Sequence, residues 1–190
     1  AKDIEQNHIA IGFPGLPIAD PDRYAFQIMN AIIGGGMSSR LFQSVREKNG
    51  LCYSVYSYTA AHAETGIFSI YTALNQTLEE KAIRLILQEL AQFRSEGPAR
   101  DELGRCREQL KTNLLMSLES TSARMNHIGR CELAFGRMIP PDEIVSHYDA
   151  VTAEDVLRVA ERVLCFEKAS ICAVGQCADA EFYQHLIRCS

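Results

Sequence analysis

The chain has 190 residues, of which 47% are hydrophobic and 23% are charged. No apolar run approaches the roughly 18–20 residues that a membrane-spanning helix needs. The net charge of −5 and the pI near 5.6 disfavour a nucleic-acid-binding protein, because phosphate contacts recruit basic surfaces. We therefore expect a globular chain with a single domain over residues 1–190 and no nucleic-acid partner.

Cysteine usage indicates a reducing compartment. The seven cysteines are Cys52, Cys106, Cys131, Cys165, Cys172, Cys177 and Cys189. Their number is odd, their spacing is irregular and no CxxC pair occurs, which disfavours a disulfide framework. Most occupy positions suited to a small apolar residue, so we expect buried, reduced thiols and a cytoplasmic protein. The chain has no secretory start, but Ala1 is not an initiator methionine, so we treat it as a fragment.

The first elements follow from apolar periodicity and turn residues. Asn7–Phe13 alternates polar and apolar residues before a break at Pro14-Gly15, which predicts a strand. Asp20-Pro21-Asp22 predicts the start of a helix, because proline suits the first turn and acids suit the N-terminal end of the helix dipole. The glycine run at Gly34–Gly36 ends that helix.

The stretch Gly34–Tyr58, GGGMSSRLFQSVREKNGLCYSVYSY, combines a short helix, a turn and an aromatic strand. Ser38 or Ser39 can cap the helix, and Asn49-Gly50 ends it. The strand is predicted over Cys52–Thr59 from its β-branched and aromatic residues. The glycine run follows a helix and lacks a GxxxxGK[ST] pattern, so we interpret it as a pliable hinge and not as a phosphate-binding loop.

The rest of the chain predicts a second hairpin strand, several helices and a last strand. Ile67–Thr72 pairs with the aromatic strand, and Thr77 with Glu80 forms a capping box for a helix that Gly97-Pro98 ends. Further helices are predicted over Arg100–Glu119, from Ser120 to Phe135 and from Pro140. Gly136 ends the second of these, and Thr152 with Asp155 forms a capping box that opens another helix. A short apolar run, Ala169–Val174, predicts a buried strand before a terminal helix. The fold class is therefore α+β, with one mixed, largely antiparallel sheet covered by several helices.

Candidate metal and thiol sites find little support. Neither HExxH nor HxxEH occurs and the five histidines are scattered, so we predict no metal site in this chain. His62 and Glu64 share a strand face but supply too few ligands, and a solvated turn explains them better. Thiol catalysis is disfavoured because a cysteine nucleophile needs an activating base within hydrogen-bond reach, and the sequence cannot place a histidine beside any of these thiols.

Arg46 and Tyr53 are the candidate functional residues. Arg46 falls in the last turn of the short helix and Tyr53 at the start of the aromatic strand, so the turn at Gly50 can bring both polar tips to one edge. A guanidinium can hold a carbonyl or carboxylate through charge-assisted hydrogen bonds, and a phenol can donate to a developing oxyanion. The structural alternatives are an arginine at a helix C-terminus and a tyrosine packed in a sheet.

The Gly34–Tyr58 stretch resembles the signature of the C-terminal domain of pitrilysin-type zinc metallopeptidases (inverzincins), the family of mitochondrial processing peptidase and insulin-degrading enzyme. The opening EQNHIAIGFPG and the later VTAEDVLRVAERVL also resemble that domain. The resemblance implies that residues 1–190 are the C-terminal, substrate-contacting half of a two-domain peptidase. Zinc is then bound by HxxEH and a downstream Glu in a homologous N-terminal domain, and not by this chain.

By the same resemblance, the Arg and Tyr that contact the substrate backbone correspond to Arg46 and Tyr53. Tyr53 is expected to stabilise the oxyanion or substrate carbonyl, and Arg46 to anchor a substrate carbonyl. The full-length protein is then a zinc metalloendopeptidase acting on peptides or proteins as a homodimer or heterodimer, and this chain alone is inactive. The alternatives are a scaffold or partner subunit of the family that has lost the zinc ligands, and a plain α+β interaction module.

Overall fold

The computed structural model describes residues 5–188, in which four strands form one sheet. The strands are β1 (Asn7–Gly15), β2 (Ser54–Ala61), β3 (Gly66–Leu74) and β4 (Ser170–Val174), in the spatial order β2-β3-β1-β4. All three neighbouring pairs are antiparallel, and Ile11 of β1 lies opposite both Ile70 and Ile171. The predicted α+β class with a largely antiparallel sheet is confirmed.

Residues 5–188 also form seven α-helices and three shorter helical segments. The α-helices are α1 (Arg23–Gly34), α2 (Glu79–Glu96), α3 (Arg100–Ser117), α4 (Thr121–Phe135), α5 (Pro141–Ala150), α6 (Ala153–Val163) and α7 (Ala180–Arg188). A π-helix spans Phe42–Lys48, and 3-10 turns span Gln76–Leu78 and Phe166–Lys168. Gly97 and Gly136 follow α2 and α4 with positive φ angles of 72° and 66°, as expected for glycines that end helices.

The core lies between one face of the sheet and the helices packed on it. Ile9, Ile11 and Phe13 of β1 point into this layer and are fully buried, whereas His8 on the opposite face is exposed. This alternation follows from the two-residue period of a strand. Helix α1 packs on β2 and α6, and α2 packs on α6. The β2 strand, which the candidate site immediately precedes, therefore packs against α1.

The first strand is longer than predicted, since β1 continues through the expected break at Pro14-Gly15. β4 pairs with β1 only from His8 to Gly12, so β1 has a free edge beyond Gly12. Proline is tolerated on a free edge because its missing N–H costs no ladder hydrogen bond there.

The aromatic strand starts later than predicted, at Ser54 and not at Cys52. The N–H of Leu51 donates to the Val45 carbonyl at 3.0 Å. This bond ties the chain to the π-helix as far as Leu51 and delays the start of the strand.

Two further predictions are wrong in detail. Thr77 and Glu80 do not form a capping box: the Asn75 side chain accepts from the Thr77 N–H at 3.0 Å and starts a 3-10 turn, so α2 begins at Glu79. β4 is an edge strand with alternating exposed positions, not a buried strand, because it pairs on one side only. A run of apolar residues cannot by itself distinguish these two situations.

The expectation of mostly buried thiols is also wrong. Of the six cysteines within residues 5–188, Cys106 and Cys131 are buried, three are half-buried and Cys172 is exposed, and all six are free thiols. Cys189 lies outside the described residues. No helix in this part of the chain combines the length and apolar character that crossing a membrane requires.

Candidate functional site

Gly34 lets α1 contact β2 closely, and Gly35 lets the chain fold back tightly on the end of α1. A Cβ on Gly34 would lie 2.3 Å from the backbone nitrogen of Ser57, and a Cβ on Gly35 would lie 2.6 Å from the Ala31 Cα. The Ser57 hydroxyl also donates to the Asn30 side-chain oxygen at 2.8 Å, which joins the helix to the strand. Gly34 is therefore required for a close helix–strand contact, and the hinge role stays a prediction.

Arg40 holds the segment between the glycine run and the π-helix. Its guanidinium forms two hydrogen bonds with the Glu102 carboxylate, at 2.8 and 2.7 Å, and stacks 4.8 Å from the Phe93 ring centroid. Burial opposes ionisation of Glu102, but hydrogen bonds from Arg40 and from the Ala99 N–H outweigh it, so the pKa of Glu102 lies below its ordinary value. This bidentate pair connects the segment to α3.

The helix after the glycine run is a π-helix and has no serine cap. The Ser39 hydroxyl donates to the Gly36 carbonyl at 2.6 Å, so neither predicted cap forms. π-helical turns are rare and occur frequently at functional sites. The predicted stop is confirmed: Gly50 has a φ of 59°, and its N–H donates to the Arg46 carbonyl at 2.9 Å.

The turn at Gly50 brings Arg46 and Tyr53 together, as the sequence predicts. The Arg46 Cζ lies 4.8 Å from the Tyr53 ring centroid and 4.7 Å from the Phe42 ring centroid. Such distances are those of cation–π contacts. Tyr53 is 73% exposed and the Arg46 side chain 33%, so Tyr53 does not pack within the sheet. Glu47 is 3.7 Å from Arg46, and an exposed ion pair of this kind contributes little.

The side chains of Arg46 and Tyr53 can both donate hydrogen bonds to a bound molecule. The contact with two rings orients the guanidinium, whose N–H groups remain partly accessible, and the phenol beside it reaches solvent. Both groups can donate to an oxygen of a molecule bound on this surface. The pair can therefore bind a carbonyl, a carboxylate or a developing oxyanion.

The neighbouring thiol is not an activated nucleophile. Burial raises the pKa of the half-buried Cys52 thiol, and this effect exceeds the opposing effects of its hydrogen bond with Thr72 and of the Arg46 charge. Because the thiolate is the reactive form, Cys52 is protonated and unreactive at neutral pH. His62 and Glu64 are both exposed in the turn between β2 and β3.

Zinc does not fit the described part of this chain. Residues 5–188 contain no group of three or more His, Cys, Asp or Glu side chains that could hold a metal ion. Zinc in proteins takes at least three such ligands.

Sequence reasoning missed Phe42 and Arg40. Phe42 and Arg46 are four residues apart, the spacing at which helical side chains meet, so the contact had a signal in the sequence. The Arg40–Glu102 pair had none, since its members are 62 residues apart.

Comparison with known proteins assigns this chain to a family. The sequence profile of the family described as "Peptidase M16 inactive domain" matches residues 1–110. The chain belongs to the peptidase M16 inactive-domain family. This family match confirms the resemblance to the C-terminal domain of zinc peptidases drawn from Gly34–Tyr58.

Relatives with similar sequences are longer than this chain. It is 40% identical over 180 residues to an uncharacterized zinc protease of Streptomyces coelicolor and 38% identical over 162 residues to one of Bacillus subtilis. These matches cover 95% and 85% of this chain but 39% and 40% of those proteins. The chain thus spans about two-fifths of the length of the curated relatives it matches.

Solved structures share the fold of this M16 domain. A crystal structure of a peptidase M16 inactive domain from Pseudomonas fluorescens matches with a TM-score of 0.83 at 24% identity, over 93% of this chain and 42% of that chain. A chain of Complex III2 from Candida albicans matches with a TM-score of 0.83 at 21% identity, over 98% of this chain and 48% of that chain. At these identities the likeness shows the fold alone.

Proposed function

We propose that this domain is the substrate-contacting wall of a zinc metalloendopeptidase whose zinc is bound by another, homologous N-terminal domain of the longer protein. The observation that carries the proposal is the exposed Arg46–Tyr53 pair at the start of β2. The names of the relatives, zinc proteases more than twice as long as this chain, support the peptidase class. In this proposal the longer protein acts on a peptide or protein substrate, is located in the cytoplasm and assembles into a homodimer or heterodimer.

Each residue of the pair has a separate role in this proposal. Arg46 donates to a backbone carbonyl of the bound peptide and holds it in register. Tyr53 donates from its phenol to the oxygen of the scissile carbonyl as that oxygen gains negative charge. A donor of this kind stabilises the transition state more than the ground state and is worth on the order of 3 kcal/mol, or roughly 100-fold in kcat.

Kinetics of the full-length protein test the two roles. Tyr53→Phe is expected to lower kcat by roughly 100-fold with little change in KM, because the phenol acts mainly on the transition state. Arg46→Ala is expected mainly to raise KM. Tyr58→Phe is the matched control, because it also removes a phenol hydroxyl, but from an exposed tyrosine of β2 that is not part of the Arg46–Tyr53 pair. Zinc content and thermal unfolding show whether each variant remains intact.

Phe42 provides a finer test of how the guanidinium is held. Phe42→Leu removes the ring 4.7 Å from the Arg46 Cζ but keeps an apolar side chain. An exposed cation–π contact is worth about 0.5–1 kcal/mol, so KM should rise roughly two- to fivefold. Phe42→Tyr retains the ring and should restore the wild-type KM.

Specific outcomes would contradict the proposal. Wild-type turnover in both Arg46→Ala and Tyr53→Phe would remove the pair from the site. A full-length protein that binds no zinc and cleaves no peptide would support the scaffold or partner subunit instead. Zinc-dependent cleavage by residues 1–190 alone would contradict the expectation that this domain needs another for activity.

A further inference from the structure

A groove of about 550 Å³ lies at the end of β2 away from Tyr53. It is bounded by α1, α4 and α5, by the end of α3 and by the loop after β1. Thr59 lines it and is six residues beyond Tyr53, which corresponds to roughly 20 Å along a strand. The volume is within the range of small-molecule sites.

The groove is basic, although the protein is acidic overall. Arg23, His127 and Arg130 line it, and no Asp or Glu of residues 5–188 does so. The net charge of the chain is −5. Asp20 and Asp22, which flank the start of α1, instead pair with arginines of α6. The lining therefore favours a negatively charged ligand.

Arg23 is held in place by neutral partners. Its guanidinium lies 4.4 Å from the Tyr24 ring centroid and 5.1 Å from that of Phe135. It donates to the Asp20 backbone carbonyl at 3.3 Å and to the Tyr24 hydroxyl at 3.1 Å. These contacts orient the half-buried guanidinium without neutralising its charge. An oriented guanidinium of this kind is suited to binding a carboxylate.

The other walls combine apolar and polar side chains, and one of them, α4, is largely exposed. Leu118 and Ile139 are buried beside the groove. Cys131 is the buried residue of α4, whereas Leu133 of the same helix is 91% exposed. A helix with so little burial can move by a small amount to admit a ligand.

We propose that this groove binds a small organic carboxylate with an apolar body. The carboxylate is held by Arg23 and Arg130, and the aliphatic or aromatic body packs against Leu118 and Ile139. This inference does not rest on the proposed peptidase function, because it uses neither Arg46 nor Tyr53.

Calorimetric titration of the full-length protein with octanoate, octanol and octylamine tests the site. These probes share an apolar chain and differ in charge, so octanoate should bind at least about tenfold more tightly than the other two. Arg23→Gln and Arg130→Gln should each weaken octanoate binding about tenfold and leave octanol binding unchanged. Arg94→Gln is the matched control, because Arg94 is an exposed arginine of α2 away from the groove. Arg130 is itself exposed, so its variant is expected to fold normally.

Four results would overturn the inference. Equal affinities for octanoate and octanol would show an apolar groove without anion selectivity. Octanoate affinity unchanged in both arginine variants, or lost on removal of zinc, would place the ligand elsewhere. Absence of octanoate binding to the folded full-length protein would show that the groove is not a carboxylate site.

Discussion

Replacing Gly34 by alanine is expected to destabilise this domain, although alanine is the better helix former. The new Cβ would lie 2.3 Å from the Ser57 backbone nitrogen and 2.8 Å from the Ser57 Cβ, whereas real Cβ contacts are longer than 3.0 Å. The obstacle is strand backbone and cannot rotate away. Either α1 or β2 must therefore move.

The magnitude follows from two opposing contributions. Forcing extra atoms into a packed contact costs about 1–3 kcal/mol. Alanine in place of glycine in a helix gains up to about 1 kcal/mol, and less at the last helical position, where Gly34 lies. The net effect is a loss of roughly 1–2 kcal/mol in the free energy of unfolding.

Gly104→Ala is the matched control. Gly104 lies inside α3, and a Cβ there would meet nothing within 4 Å, so this variant should gain about 0.5–1 kcal/mol. Urea denaturation measures the free energy of unfolding of both variants, with the same dependence on urea concentration assumed for each. If Gly34→Ala were as stable as Gly104→Ala, the close helix–strand contact would be refuted. If β2 is the element that moves, the proposed peptidase activity of the full-length protein should also fall, because Tyr53 immediately precedes that strand.

Two further predictions concern buried and capping carboxylates. Glu79 is buried and accepts hydrogen bonds from Asn7 and Tyr183. In urea denaturation, Glu79→Ala should therefore lower the free energy of unfolding by about 1–3 kcal/mol, and Glu79→Gln should lower it clearly less. Equal losses in the two variants would contradict this account. Hydrogen bonds from the Thr152 backbone N–H and hydroxyl lower the pKa of Asp155. Its stabilising effect is therefore present above the ordinary Asp pKa of about 4 and is lost as pH falls through the lower pKa of the folded state. Below about pH 4 the melting temperature of Asp155→Asn should therefore fall less steeply with pH than that of the wild type.

Local signals in the sequence predicted the elements whose ends are stabilised locally. Thr152 and Asp155 form the predicted capping box of α6, and Gly97 and Gly136 end their helices as expected. Some predictions failed because of a near neighbour, as where Asn75 takes the place of the Thr77 cap, and others failed because a distant partner decides the outcome. Pro14 continues β1 because β4 stops pairing at Gly12, a fact that the residues around Pro14 do not contain.

Features of the candidate site likewise divide into those that the sequence predicts and those that it does not. A helix end, a glycine turn and a strand start within eight residues are enough to predict that Arg46 and Tyr53 meet. The π-helical register and the orientation of the guanidinium between Phe42 and Tyr53 depend on atomic packing. The basic groove had no signal at all, because Arg23 and Arg130 lie on different helices and are more than a hundred residues apart.

The sequence by itself determined the family, the α+β class and the residues of the Arg46–Tyr53 pair, because these depend on motifs and on contacts between near neighbours in the chain. Only the tertiary structure decided that Gly34 is a contact point between α1 and β2, and that basic and apolar side chains line one groove. Contacts between distant segments depend on how whole helices and strands pack, and no local pattern of residues encodes that arrangement.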